Sequence, residues 1–470
     1  MCFFIKLLRS REKIMKRVNW DYIFLFLPLA FISGAFFGFS SEWMHNMIDS
    51  WRLQECLILL LSFIYGILRF NIITIKTSKC VLLTIFLLLI YILTIIYFSK
   101  NSLLALLDMS MMGALLCYSY FIYLLMIQIP RQKVELAIAI VALSPLGCTI
   151  WLLVGYYLYI TADVPLVWHG LFTNIRYYDD ALLPLIFLLW YQPSFLKRFS
   201  KTTTLIASFF LLTLWLDAAR ANWLGMSVGL IAIVLFYPKG YQKILNPLIS
   251  ILISFILYRI IQCFDTSAVQ YTVLRGEDGT RWRMWIGAWY QWLQNPFKGL
   301  GGGNFVFAEE INPLKIGHPH NLIVQLVVEW GVTGLLISFL IICSTQWLFN
   351  KRSQVPAILF AGSIALLVNM LLSGAHVYPV SQVTMLIYFC FVMSNIRINL
   401  NSRSIYFLTL NKFNDVKEIK ILKWGLGFIL IILFIISDSF FQYGNDKGMV
   451  KSSPSLGPRF WSNAHLVNME

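Results

Sequence analysis

The sequence predicts an all-α polytopic membrane protein with about 12–13 transmembrane helices. Three observations support this fold class. The chain is 59% hydrophobic and only 13% charged, whereas about a quarter of the residues in soluble domains are charged. Its mean hydropathy is +0.73. Apolar runs of roughly 20 residues, enough to cross a bilayer, recur along the chain, and helices satisfy their own backbone hydrogen bonds in lipid.

Thirteen apolar segments are candidate transmembrane helices. The sixth is short and has Pro184 near its start, so we expect it to begin earlier or to be tilted. The seventh and eighth are separated only by a tight turn that contains Asp217 and Arg220. The segments are 22–41, 55–73, 80–98, 103–128, 134–160, 181–194, 203–218, 222–237, 246–262, 321–346, 354–373, 377–396 and 423–441.

Lysine and arginine are concentrated in every second loop, which indicates the orientation of the chain. Basic residues precede the first span and recur after each even-numbered span. Because basic loops remain in the cytoplasm, the N-terminus is predicted to be cytoplasmic. The same rule accounts for the net charge of +15. In a soluble protein that charge would suggest nucleic acid, but no nucleic-acid partner is predicted here.

The spans and loops give the predicted organisation. One outer loop is far longer than a connection requires, so we expect helical segments in it. In order, the parts are a cytoplasmic segment (1–21), helices one to nine (22–262), the large outer loop (263–320), helices ten to twelve (321–396), a cytoplasmic loop (397–422), helix thirteen (423–441) and an outer tail (442–470).

Tryptophans recur within the large outer loop at helical spacing. Trp282, Trp285, Trp289 and Trp292 are three or four residues apart and predict one aromatic helix face. Such a face lies in the membrane interface or covers a sugar, and the interface is the favoured interpretation.

Four arginines on the predicted outer side are not explained by the charge rule. Arg281 and Arg283 open the aromatic helix, Arg220 lies in the tight turn, and Arg176 precedes the sixth span. Arginine keeps its charge and contacts phosphate through two N–H groups at once. These arginines therefore predict a diphosphate clamp. Interfacial snorkelling or ion pairs with nearby aspartates are the alternative, but for Arg220 and Arg281 together the clamp is favoured.

Glycines follow the aromatic helix at 299 and 301–303. Gly301, Gly302 and Gly303 allow positive φ and let backbone N–H groups approach an anion closely. A glycine run alone is more often a flexible turn. Its interest here comes from its neighbours.

Two histidines immediately precede the tenth span. His318 and His320 are followed by Asn321, and Glu329 lies about two turns further on. A helix N-terminus there would suit a phosphate and a histidine that works near neutral pH. His320 is the favoured catalytic residue, whereas His318 is either a helper or a loop residue. Glu329 either pairs with an arginine or acts directly, because a carboxylate inside a span is otherwise costly.

All histidines fall on the predicted outer side, which favours chemistry there. The cytoplasmic loops carry no nucleotide-binding motif, and no cofactor is predicted. The adjacent Asp179 and Asp180 point in different directions, so no metal site is predicted either. The histidines are His45, His169, His318, His320, His376 and His465.

These motifs resemble the O-antigen ligase/polymerase superfamily of bacterial membrane glycosyltransferases. The resemblance covers residues 200–345 in detail, and Arg220 at the tight turn fits the family's other arginine. Its motifs are Arg281-x-x-x-Trp285, Asn295-Pro296-Phe-Lys-Gly299-Leu-Gly301, His320-Asn321-Leu-Ile-Val-Gln325 and Glu329-Trp-Gly331-Val-Thr-Gly334.

The resemblance implies a GT-C-type helical fold in the bacterial inner membrane, with a periplasmic active site under the large loop. It implies an undecaprenyl-diphosphate-linked glycan as donor and a metal-independent, inverting transfer. Arg220 and Arg281 would hold the diphosphate, and His320 would orient or deprotonate the acceptor hydroxyl. The other predicted substrate-binding residues are Arg176, Arg283, His318, Asn321, Gly301, Gly302, Gly303 and Glu329.

The acceptor remains open among three members of the superfamily. Lipid A–core ligase, in lipopolysaccharide biosynthesis, ranks first, protein (pilin) O-oligosaccharyltransferase second and O-antigen polymerase third. Ligases typically have twelve spans and a cytoplasmic C-terminus, whereas this chain is predicted to have a thirteenth span and an outer tail. A transporter of lipid-linked glycan is the non-enzyme alternative. It predicts charges along a central path and an internal repeat, and neither is evident.

Overall fold

A computed structural model describes residues 20–38, 47–69, 74–162, 172, 174–264, 279–308, 317–396 and 416–420. The thirteenth predicted span, the outer tail and three of the histidines (His45, His169 and His465) lie outside the described residues.

The described residues are almost entirely helical, as the predicted all-α fold class requires. A small antiparallel ribbon joins two loops, with Thr74 opposite Lys420. The helices are α1 (Trp20–Phe37), α2 (Met47–Arg69), α3 (Lys79–Tyr97), α4 (Ser102–Gln128), α5 (Arg131–Leu143), α6 (Leu146–Ala162), α7 (Ile175–Tyr191), α8 (Ser200–Leu216), α9 (Arg220–Phe236), α10 (Leu245–Phe264), α11 (Gly279–Gln294), α12 (Leu322–Asn350), α13 (Ala357–Met370) and α14 (Pro379–Ser394). The ribbon strands are β1 (Thr74–Ser78) and β2 (Val416–Lys420), and single helical turns lie at Leu196–Phe199, Gly240–Lys243, Asn304–Phe307 and Arg352–Gln354.

Each of the first twelve predicted spans overlaps a helix. The fifth is divided into α5 and α6 at Ser144–Pro145. The sixth begins earlier than its apolar run, because Asn174 caps α7 by accepting a hydrogen bond from the Arg176 backbone N–H (2.8 Å). Within the described stretches, six helical segments are long and apolar enough to cross a membrane, and four apolar helices are shorter. The protein is thus a multi-pass membrane protein, while thirteen spans remains a prediction.

Helix α7 forms the centre of the bundle. Its residues are buried continuously from Tyr178 to Trp190, and it contacts α5, α8, α9, α13 and α14. Helix α9 packs closely on α13 because Gly225 and Gly229 face the backbone of that helix. This packing brings the starts of α7 and α9 and the C-terminal end of α13 to the same end of the bundle.

Helix α12 is interrupted at Gly331, where φ is 54° and ψ is −129°. The segment after α11 docks on this interruption through backbone hydrogen bonds. Val332 N–H donates to the Phe297 carbonyl (3.1 Å), and the N–H groups of Leu300 and Gly301 donate to carbonyls of the preceding helical turn (3.0 and 2.7 Å). The segment therefore satisfies backbone groups that the interrupted helix leaves exposed.

Replacing Gly331 with alanine is expected to destabilise the protein by about 1–3 kcal/mol. The added Cβ would overlap the Phe297 carbonyl, and the backbone would remain in the left-handed region. Thermal unfolding of the detergent-solubilised protein measures the effect. Gly113→Ala, inside helix α4, is the control and should leave the midpoint unchanged or slightly higher. Equal midpoints for Gly331→Ala and wild type would contradict the prediction.

Candidate active site

Three of the four predicted arginines line one cavity of about 120 Å³. Arg176 lies in the first turn of α7, Arg220 begins α9, and Arg281 lies in the first turn of α11. Three guanidinium groups from separate elements suit an anion with several oxygen atoms. The other lining residues are Asp180, Ala218, Ala221, Asn222 and Ser373.

Arg220 follows an unusual turn between α8 and α9. Helix α8 ends with two paired hydrogen bonds, from Ala219 N–H to the Leu214 carbonyl (3.0 Å) and from Ala218 N–H to the Trp215 carbonyl (3.2 Å). Ala218 is left-handed, with φ of 49°, at a position where glycine is usual. An alanine there costs about 1–2 kcal/mol. Such costly conformations concentrate at functional sites, which fits the place of this turn in the cavity wall.

Protein groups fix the other two arginines at the cavity. Arg176 Nη1 lies 3.2 Å from an Asp179 carboxylate oxygen and 3.5 Å from the Ala218 carbonyl. Arg281 Nη1 donates to the Leu372 carbonyl (2.9 Å), beyond the C-terminal end of α13. The ion pair considered as an alternative thus exists for Arg176, yet its side chain still lines the cavity. Both guanidinium groups are held in place where an anion could reach them.

The cavity also contains polar residues that sequence reasoning missed. Asp180 accepts a hydrogen bond from the Ser373 hydroxyl (2.8 Å), and the Asn222 amide donates to the Asp179 carbonyl (2.6 Å). One signal was available: residues four apart on a helix share a face, which places Asp180 beside Arg176. It was overlooked because the apolar run begins only at 181 and does not show how much earlier the helix starts.

His320 lies in the loop before α12, close to two of the cavity arginines. Its backbone is left-handed, with φ of 56°. Burial, followed by the charges of Arg281 and Arg176, lowers the pKa of His320 to about 4. The imidazole is therefore neutral at neutral pH and has a nitrogen able to accept a hydrogen bond.

Three other predicted site residues lie inside α12 or just before it. Asn321 caps α12, its side-chain oxygen accepting from the Val324 N–H (3.0 Å). His318 is buried, and its imidazole contacts Tyr378 rather than the cavity. Glu329 is completely buried inside α12. None of these three predicted residues lines the arginine cavity.

The glycine run packs between helices and does not line the arginine cavity. A Cβ on Gly301 would overlap Ser99, and one on Gly302 would overlap Trp330. Gly303 is left-handed, with φ of 71°, and leads into the short turn at Asn304–Phe307. Close packing accounts for Gly301 and Gly302, and the left-handed backbone accounts for Gly303, while the predicted anion contact stays a prediction. Arg283 is exposed and likewise does not line the cavity.

The tryptophan face of α11 divides into anchoring and exposed side chains. Trp285 donates its indole N–H to the Pro319 carbonyl (2.8 Å), and Trp292 donates to the Pro296 carbonyl (3.2 Å). Trp282 and Trp289 are 63% and 54% exposed. Trp285 fixes α11 to the loop that carries His320, and Trp292 fixes the end of α11 to the segment that follows it. The second pair remains available to the membrane interface or a ligand.

Together, the bundle and the cavity define a class: a multi-pass helical membrane protein with a cationic site at one end of its helices. Within the described stretches, no three His, Cys, Asp or Glu side chains cluster so as to hold a metal ion. Residues 203–339 match the family model described as O-antigen ligase, and this segment contains Arg220, Arg281 and His320. The match supports the O-antigen ligase/polymerase superfamily, as the resemblance predicted, and suggests a glycosyltransferase-like enzyme. No curated protein and no solved structure matches the chain.

Proposed function

We propose that the protein transfers a glycan from undecaprenyl diphosphate to an acceptor hydroxyl at the periplasmic face of the bacterial inner membrane. One observation carries the proposal. Arg176, Arg220 and Arg281 come from three separate elements and line one cavity, and the first and last of them also act on His320. This arrangement combines an anion-binding site with a neutral imidazole.

The arginines are proposed to bind the diphosphate and stabilise its departure. As the bond between the anomeric carbon and the phosphate oxygen breaks, negative charge develops on the diphosphate. Fixed guanidinium groups stabilise that charge without having to reorganise during the reaction. The acceptor oxygen forms the new bond to the anomeric carbon, and the product diphosphate remains with the arginines.

His320 is proposed to orient the acceptor hydroxyl and to take its proton. A neutral imidazole accepts the hydroxyl hydrogen bond, and the proton moves to the ring as the oxygen attacks. The two arginines disfavour the resulting imidazolium, but a bound diphosphate adds opposing charge beside them. The donor would therefore raise the pKa of His320 and make it a stronger base when donor is present.

This coupling predicts two different acid limits, meaning the pH values below which kcat/KM and kcat decline. The neutral form of His320 persists until the pH falls through its lowered pKa, so kcat/KM should decline only near pH 4. The acid limit of kcat should lie at higher pH, because kcat reports the titration of His320 in the donor complex, where the bound diphosphate raises its pKa. Arg176→Gln should move the kcat/KM limit upward by removing one positive charge. A wild-type kcat/KM limit at the ordinary histidine value, with no shift in Arg176→Gln, would contradict this assignment.

Lipid A–core is the proposed acceptor, which makes the protein an O-antigen ligase of lipopolysaccharide biosynthesis. A deletion strain tests the acceptor through its lipopolysaccharide ladder and its pilin mass. Loss of all capped ladder supports the ligase. A single-repeat cap without a ladder indicates a polymerase, and an intact ladder with lighter pilin indicates a protein transferase. Unchanged glycans on every acceptor would refute the proposed transfer.

A further inference from the structure

We propose that His318 and Tyr378 are positioning residues for His320, an inference that rests on the proposed glycosyl transfer. The backbone N–H of His320 donates to Nδ1 of His318 (3.2 Å), and the two imidazole centroids are 4.3 Å apart. Because Nδ1 accepts, the proton of the neutral His318 ring lies on Nε2. That nitrogen donates to the Tyr378 hydroxyl oxygen (2.9 Å). The tautomer and orientation of His318 are thereby defined from both sides.

Tyr378 belongs to a turn with unusually extensive hydrogen bonding. Three consecutive backbone carbonyls, at 375–377, each accept a side-chain hydrogen bond. The donors are Ser381 (2.6 Å), Gln382 (2.8 Å) and the buried Arg52 of α2. Because these bonds satisfy the turn from two different helices, Tyr378 has a rigid backbone beneath it.

The His318 ring also packs tightly against this turn. Gly374 leaves room for the imidazole, and a Cβ there would overlap the ring. On its other side, the Tyr378 ring packs against the Tyr177 ring, and the two ring centroids are 3.7 Å apart. Tyr177 is the neighbour of Arg176 on α7. Two hydrogen bonds and this ring contact therefore link the backbone of His320 to the helix that forms one wall of the arginine cavity.

The hydrogen bond from His320 to His318 supports a costly backbone conformation. A left-handed residue with a side chain is disfavoured by about 1–2 kcal/mol. Without the bond to His318 Nδ1, the loop would relax toward ordinary backbone angles, and the His320 imidazole would move away from the arginines. In a reaction that depends on placing a base against a hydroxyl, a displacement of about 1 Å costs up to a hundredfold in rate.

Three substitutions test the inference in the full-length purified protein. His318→Phe keeps a ring but removes the acceptor, and Tyr378→Phe removes only the hydroxyl. His318→Asn restores an acceptor, because an asparagine side chain bonds the N–H two residues ahead. We expect kcat to fall about 10- to 100-fold in the two phenylalanine variants, with the donor KM unchanged and most activity kept in His318→Asn. The substrate is undecaprenyl-diphosphate-linked glycan extracted from the source bacterium.

Each phenylalanine substitution is repeated in a His320→Asn background. Positioning of His320 predicts no further loss of activity there, because the group being positioned is absent. The same fold-loss in both backgrounds, or wild-type kcat in His318→Phe and Tyr378→Phe, would overturn the inference while leaving the proposed function intact. A wild-type protein that transfers no glycan to any of the three acceptors would refute the proposed function and this inference together.

Discussion

Replacing Arg281 with glutamine is expected to lower glycan transfer about a hundredfold to a thousandfold, the loss typical of removing one preorganised charge-stabilising donor. Arg281 meets the requirement for such a donor because the Leu372 carbonyl holds its guanidinium at the cavity. Glutamine retains a polar side chain of moderate length but carries no charge. Single-turnover transfer from purified lipid-linked glycan measures the chemical step directly.

Arg283→Gln is the matched control for this substitution. It removes the same charge two residues along the same helix, but Arg283 is exposed and does not line the cavity. We expect its transfer rate to remain within about threefold of wild type, because exposed charges away from the site contribute little. Arg281→Lys should recover only part of the activity, since one ammonium group cannot reproduce the planar guanidinium fork. Equal losses for Arg281→Gln and Arg283→Gln would show that the cavity position of Arg281 has no special role.

Replacing His320 with asparagine is expected to lower kcat about 10²- to 10⁴-fold, the usual contribution of a positioned acid–base group. Asparagine is the informative choice because it tolerates the left-handed backbone of this position better than alanine. The folded structure should therefore persist while the imidazole is lost. Transfer rates at saturating donor and acceptor give kcat directly.

Donor binding distinguishes loss of chemistry from loss of the site in this variant. The arginines remain in His320→Asn, so the thermal stabilisation produced by undecaprenyl diphosphate should match that of wild type. In Arg281→Gln the same stabilisation should be reduced. If His320→Asn transferred glycan at nearly the wild-type rate, another group would have to receive the acceptor proton.

The helices could be predicted from the sequence because lipid imposes a simple requirement on length and composition. An early start of α7 was one of two expectations, but its position could not be predicted because the polar Asn174 starts the helix before the apolar run begins. The convergence of Arg176, Arg220 and Arg281 could be expected from topology alone, since all three were predicted to lie on one face. Their common cavity required the packing of α9 on α13, which depends on contacts between distant residues.

The assignments around the glycines show a limit of sequence patterns. A glycine permits close approach of a phosphate and of a neighbouring helix for the same reason, the absence of a side chain. Sequence spacing cannot distinguish these uses, and Gly302 proves to face Trp330. The support from Tyr378 to His318 was equally hidden, because a hydrogen bond across 60 residues has no local signature.

The bonds of α11 to later segments have a consequence for biogenesis. Arg281 is fixed by Leu372, and Trp285 by Pro319, both of which are synthesised after α11. The Leu372 carbonyl becomes available to Arg281 only after α13 has been synthesised, and the packing of α9, which begins with Arg220, also depends on α13. His320 likewise waits for Tyr378. A nascent or prematurely terminated protein that stops before residue 372 therefore lacks one of the backbone groups that hold Arg281 at the cavity.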